Sequence, residues 1–202
     1  PQRAVASSTI AAMLTGNGGF DSDVTVTRLA DDRFLVITGA NEGLRDYDHI
    51  VRHVGDSDRV AVTDVTEAYA GLAVAGPNSR ELLSRITEND LSDQAFPFLT
   101  AQEMRIGPGP AWAMRVSYAG ELGWELHIPT EYMVTVYDAL KQAGEPLGLR
   151  DAGYRAINSL RLEKGNYVFP GDLSPDITPL EAGLGFAVSF KNKDYFLGRS
   201  AL

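Results

Sequence analysis

No cysteine occurs anywhere in the 202 residues. That excludes a disulfide framework and any thiolate chemistry. Histidine is scarce as well, with three in the chain. His49 and His53 have the i, i+4 spacing that ligates zinc on a helix, but His127 is the one histidine left and no acidic residue separates the pair. A zinc site is therefore not expected, and no Ser–His–Asp set can be picked out. The acidic residues around Asp21 and Asp31 lack the order of a calcium-binding EF-hand loop. Glycine-rich phosphate motifs are also missing: TGNGG lacks the Lys-Ser/Thr ending of a P-loop, and no G-x-G-x-x-G appears. Nothing approaches the ~20 uninterrupted apolar residues of a membrane span. The N-terminal stretch PQRAVASSTIAAML fits a signal peptide poorly, because Ser and Thr interrupt its apolar run. Positive charge is in deficit, 18 Lys and Arg against 27 Asp and Glu for a net charge of −9, which argues against a nucleic-acid partner. A few placed arginines would still suffice for an anionic small ligand. The expectation is a protein of the cytoplasm or, in a eukaryote, of the mitochondrial matrix, without metal, nucleic acid or membrane. Because the chain begins at Pro1 rather than Met and stops at Leu202 near an element boundary, it is expected to be a segment of a longer protein.

What is present is an alternation of strand and helix signals. Val24–Leu29 and Arg33–Thr38 are β-branched runs around Asp31-Asp32, a hairpin pattern. Residues 41–54 have helical spacing. Val60–Val65 and Gly71–Val74 read as strands. In GPNSRELLSRI, Asn78 followed by Glu81 is an N-cap pattern before a stripe of Leu82, Leu83 and Ile86. Strands are predicted over Gln102–Ile106 and Ala111–Ser117, separated by the Gly-Pro-Gly-Pro breaker, and over Trp124–Ile128. Thr130 is read as the cap of a helix carrying Met133, Val134, Tyr137 and Leu140. Asp151 is read as the opening of another, with Ile157 and Leu160 inward and Gly165 closing it. The order predicts an α+β sheet with helices on one face, ferredoxin-like in type.

The stretch SYAGELGWEL poses the functional question. Alternation puts Trp112, Met114, Val116 and Tyr118 on one face of the first strand. Trp124, Leu126 and Ile128 form the apolar set of the return strand, leaving Glu125 and His127 opposite. Matching apolar face to apolar face sends Tyr118 toward the core and Glu125 away from it. The two share a face only if Gly123 permits a bulge. Glu125 is then either a solvated carboxylate paired with Arg115 or a ligand-reading group, and periodicity leaves both open.

Five strings in order change that balance: GNGGFDSDVTVTRLADDRFLVITGA, GLAVAGPNSRELLSRI, SYAGELGWELHIP, GLRDAGYRAINSLRLEKG and DLSPDITPLEAGLGFAV. Together they resemble the folate-binding aminomethyltransferase family. That family includes the glycine-cleavage T-protein and the tetrahydrofolate-binding portions of dimethylglycine and sarcosine dehydrogenases, and GYRAINSLRLEKG looks closer to the dehydrogenase branch. The resemblance runs from about Ala12 to Leu202.

It implies interleaved ferredoxin-like sheet and helix subdomains around a central folate cavity. Residues 1–70 would belong to a first α/β subdomain and 71–190 to a second that completes the folate-binding region. Residues 191–202 would open a linker to a C-terminal barrel domain. The implied activity is tetrahydrofolate-dependent one-carbon transfer from a glycine-type or N-methylated amine donor. The alternatives are a non-catalytic folate-binding module and demethylation of another small methylated compound. FAD is expected only if a separate upstream domain exists, and other domains or subunits are the expected partners besides folate and the amine.

The resemblance also implies site residues. Asp23, in the Gly18-Gly19-Phe20-Asp21-Ser22-Asp23 motif, would activate the reacting centre, with Asp21 one alignment step away as the rival. Tyr118 and Glu125 would hold the pterin, in a shared cavity with Asp23 and with a kink at Gly123. Arg161, a further candidate read from its place in SLRLEKG and not from the resemblance, would meet an anionic ligand tail or tie helix to sheet. Chemistry supports the residue types. A carboxylate accepts the adjacent N–H and amino donors of a reduced pterin as a bidentate pair. A tyrosine supplies an aromatic wall with a hydroxyl, and a desolvated aspartate has its pKa raised toward the working range of a general base.

Overall fold

The structure, a computed structural model, describes residues 6–191 and 195–202. The sequence-derived segments 1–70 and 191–202 thus include residues 1–5 and 192–194, which lie outside the described residues. Seven strands form one sheet, β1 (Ala6–Leu14), β2 (Phe20–Ala30), β3 (Arg33–Thr38), β4 (Tyr69–Ala75), β5 (Thr100–Ile106), β6 (Gly109–Met114) and β7 (Gly123–Pro129), hydrogen-bonded in the order β3-β2-β1-β5-β6-β7-β4. Four helices accompany them: α1 (Gly43–Arg52), α2 (Ser79–Ser84), α3 (Met133–Gly144) and α4 (Tyr154–Lys164). The architecture is mixed α+β. No helix among the described residues is long and apolar enough to cross a membrane. Two compact units divide the chain, one of Pro1–Ser8, Thr27–Asp32 and Val65–Asn166, the other of Thr9–Val26, Arg33–Asp64 and Tyr167–Leu202.

In the first unit β5, β6, β7 and β4 form a run of antiparallel neighbours. The ferredoxin-like expectation does not hold here. In that arrangement the two strands joined by the first helix are parallel with one strand between them. Here α2 joins β4 to β5, and β6 and β7 lie between these two. The helix-facing side of this sheet buries Ala111, Ala113, Trp124, Leu126 and Ile128 against Leu82 and Leu83 of α2 and Val136 and Leu140 of α3. Small residues on β6 are required there. A Cβ on Gly109 would stand 2.6 Å from Val136 Cγ2 and 2.9 Å from Tyr132 Cβ, so helix and strand backbone already touch.

Several local readings are corrected. Residues 60–65 are irregular and mostly exposed, because their β-branched side chains find no ladder to join. An unanticipated strand, β1, occupies Ala6–Leu14 instead, in the run first noted for its serines. The strand predicted over 111–117 runs 109–114, so the turn of the Gly-Pro-Gly-Pro breaker is its first pair alone, with Ile106 facing Gly109. None of Asn78, Thr130 or Asp151 caps as predicted. Asn78 makes no side-chain cap bond. Thr130 donates to the Glu67 carbonyl at 2.9 Å, and Asp151 accepts from Lys141 at 3.0 Å. Val136 rather than Val134 faces inward on α3. Leu160 of α4 is 36% exposed, and Arg161 is the one buried residue of that helix. Gly165 does close α4, at φ +82°.

The predicted hairpin is present as β2 and β3 around Asp31-Asp32. The core of the second unit gathers Phe20, Phe169 and Leu173, with Ala182 and Leu184 against them. The Phe20 amide donates to the Ser174 and Ile177 carbonyls at 3.2 and 3.1 Å. Gly19 has no room for a Cβ beside the Pro175 carbonyl. The motif strings around GNGGF and DLSPDITPL therefore close on each other, and that closure fixes where β2 begins.

Candidate functional site

Glu125 and His127 lie on the sheet face opposite the helices. The register settles this: Met114 faces Glu125 and Trp112 faces His127 across β6, while Ala73 and Gly71 face them across β4. Directly opposed residues of antiparallel strands point the same way, so Trp112 and Met114 share the Glu125 face and not the helix-packed one. Matching the bulky faces of the two strands gave the wrong pairing, since the helix side of β6 is Gly109, Ala111 and Ala113. The bulge anticipated at Gly123 is absent too. The β4–β7 ladder is unbroken from Ala75 opposite Gly123 to Tyr69 opposite Pro129.

Arg115 is no partner of Glu125. Its guanidinium pairs with Asp93 at 2.7 Å, donates to the Phe96 carbonyl at 2.6 Å and lies 5.6 Å from the Trp124 ring centroid. Among the described residues the nearest basic group to the Glu125 carboxylate is His127, with Nε2 at 4.0 Å, and the Glu125 and His127 side chains are 36% and 16% exposed. Loss of solvent raises the Glu125 pKa and lowers that of His127. A working ion pair would shift both in the opposite directions. Burial therefore outweighs their attraction, and both groups are pushed toward neutrality. Beside them Met114 is fully buried, its sulfur 3.7 Å from the Thr27 hydroxyl, which in turn lies 2.8 Å from that of Ser8.

Tyr118 sits in the loop between β6 and β7. Its carbonyl accepts from Asn166 Nδ2 at 2.8 Å, and Arg161 reaches the Asn166 carbonyl at 3.0 Å and Asn158 Oδ1 at 2.9 Å. Through Asn166 these bonds join the C-terminal end of α4 to the Tyr118 loop. Gly120, at φ +81°, stands where a Cβ would be 2.6 Å from Lys164 Cγ. The Leu122 carbonyl accepts from the Gly76 amide at 2.8 Å and from Ser79 Oγ at 2.9 Å. Ser117 Oγ is buried without a hydrogen-bond partner. Sequence reading missed Asn166, His127 and Ser117. Only His127 left a visible signal, its i+2 position beside Glu125.

In the second unit the rivalry between Asp21 and Asp23 has a structural basis. Asp21 pairs with His49 Nδ1 at 2.8 Å, and Arg45 donates to the Asp21 carbonyl. His49 also stacks on His53 with ring centroids 4.4 Å apart. Asp23 has no basic partner among the described residues. Its pKa is raised first by burial and further by the neighbouring Glu42 and Asp46. Asp46, 1% exposed, is occupied by the hydroxyls of Ser22, at 2.6 Å, and Thr38. No group of three or more potential metal ligands occurs among the described residues. A cleft of about 290 Å³ lined by Val74–Ser79, Leu82 and Leu147–Arg150 contains none of the four site residues.

Human mitochondrial sarcosine dehydrogenase is 40% identical over 97% of the chain, and 4-methylaminobutanoate oxidase (formaldehyde-forming) of Paenarthrobacter nicotinovorans is 42% identical over 94%. The chain spans 23% of the length of each of these two relatives. The crystal structure of glycine cleavage system aminomethyltransferase T from Bartonella henselae superposes with a TM-score of 0.77 at 25% identity, covering 91% of this chain and 48% of that one. The GCVT N-terminal domain profile matches residues 2–192, and the chain belongs to that family.

Proposed function

We propose that this chain is the tetrahydrofolate-holding part of an enzyme that transfers a one-carbon unit from an amine donor. The observation that carries the reading is Glu125: a partly buried carboxylate whose pKa is raised by lost solvent, no hydrogen-bonded base, and an unpaired buried imidazole nitrogen beside it. Left alone, such a group destabilises the fold, and a ligand edge with two adjacent N–H donors relieves it. Folate, when bound, would supply the nitrogen that receives the one-carbon unit. Glu125 would fix the pterin edge and Tyr118 would orient the ring. Asp23 would hold or take a proton at the reacting centre, a role supported by its raised pKa and by the engagement of Asp21 with His49. The two relatives act, by their names, on N-methylated amino acids, which favours an N-methyl donor over glycine.

Calorimetry with tetrahydrofolate and its 5-formyl analogue tests the reading directly. Micromolar or tighter binding is expected, and absence of binding by a folded chain refutes it. A second reading, folate binding without catalysis, is separated by Asp23→Ala. A catalytic Asp23 predicts that methylenetetrahydrofolate formation falls far more than affinity, whereas a pure binding module forms no product even as wild type.

A further inference from the structure

We infer that His127 is a specificity-determining residue, donating from Nε2 to a carbonyl that adjoins the two N–H donors held by Glu125. The site then selects a 2-amino-4-oxo edge over its 4-amino counterpart. This rests on the folate reading and narrows it.

Geometry supports the assignment in three ways. His127 Nε2 is buried without a hydrogen-bond partner, a condition native proteins rarely leave unexplained. It lies 4.0 Å from Glu125 Oε2, too far for a hydrogen bond but close enough for both groups to meet one ring edge side by side. Above the pair there is room. Across β4 their neighbours are Gly71 and Ala73, both exposed, and nothing lies within 4 Å of where a Gly71 Cβ would be. On the other flank Trp112 and Met114 form an apolar wall that keeps the edge dry.

The donor and acceptor order follows from these positions. An ionised Glu125 accepts only, so it takes the amino and ring N–H groups. His127, kept neutral by its burial, donates from Nε2 in one tautomer, so it takes the carbonyl oxygen next along the edge. Pterins present that sequence of groups. A 4-amino analogue places a donor where the oxygen was, opposite the Nε2–H tautomer, and its ring N3 carries no hydrogen for Glu125 to accept.

The test is calorimetry of the full chain with 5-formyltetrahydrofolate and with its 4-amino-4-deoxy analogue, on wild type, His127→Met and His127→Gln. The wild type is expected to prefer the oxo compound. His127→Met should lose about tenfold in affinity for that compound while changing little toward the amino analogue. His127→Gln, whose amide still donates, should retain most of the affinity for the oxo compound. A thermal melt confirms that each variant is folded. The inference falls if His127→Met weakens both ligands equally or neither, or if the Gln variant loses affinity for the oxo compound as fully as the Met variant. Failure of the wild type to bind either compound instead removes the folate reading, so the two failures are told apart by the wild-type titration.

Discussion

The two faces of β6 and β7 are built from alternate residues of the same strands and do opposite things. One face holds Ala111, Ala113, Trp124, Leu126 and Ile128, all nearly inaccessible to water and packed on helices. The other holds Trp112, Met114, Glu125 and His127, where a carboxylate and an imidazole are desolvated without adequate partners. The first face stabilises the fold; the second uses stability to keep polar groups available. A sheet can therefore separate folding from function at single-residue resolution, because successive side chains never share a side.

Breaking the first face should give the largest effect. Leu126→Ala, at a fully buried position, should destabilise the chain by about 3–4 kcal/mol in urea unfolding, through lost burial and the cavity left behind. The adjacent Glu125→Ala should leave the urea midpoint almost unchanged or raise it. It should instead weaken tetrahydrofolate binding by about 2–4 kcal/mol, since the pterin donors lose their acceptor. Equal stability losses at 125 and 126 would erase the distinction between the faces.

Asn166→Ala sharpens the comparison further, because it touches neither face. It removes the tether to the Tyr118 carbonyl but keeps the backbone carbonyl that Arg161 uses. Folate affinity should fall by about 1 kcal/mol, with the β-sheet circular dichroism unchanged.

The smallest effect concerns pH. The carboxyls of Glu125 and Asp23 titrate above their ordinary values of 4.5 and 3.8 when folded, so the native state favours their protonated forms. Their contribution to stability is full below those ordinary values and is lost as pH rises through the raised ones. Glu125→Gln and Asp23→Asn should therefore each be more stable than the parent at pH 7, by under about 1 kcal/mol given partial solvent screening. The difference should vanish near pH 3.5. Binding should respond in the reverse sense, weakening as acid protonates Glu125.

Much of this was legible in the chain itself. The β2–β3 hairpin, α1 and β7 follow from turn residues and periodicity, and the ordered motifs pointed to the GCVT N-terminal domain family. What alternation could not convey was which face of β6 meets the helices. Hydrophobicity marks Trp112 and Met114 as core, yet α3 approaches so closely at Gly109 that only small residues fit on its side. The site was half visible for a related reason. Glu125 stands out by its charge, whereas Asn166 acts on a backbone carbonyl 48 positions away, and no local pattern encodes that. Arg161 is a related case: its bonds to Asn158 within α4 and to the Asn166 carbonyl just beyond it follow from the folded helix end and not from any pattern in the chain.

The loop carrying Tyr118 is fastened at two places, by Asn166 at the Tyr118 carbonyl and by Gly76 and Ser79 at the Leu122 carbonyl, and Gly120 between them packs too close to Lys164 for a Cβ. Its conformational entropy has been surrendered at folding, so little remains to be lost when a ligand arrives. Association at this loop should then be a lock-and-key event: a single kinetic phase linear in ligand concentration, with no slow isomerisation following encounter.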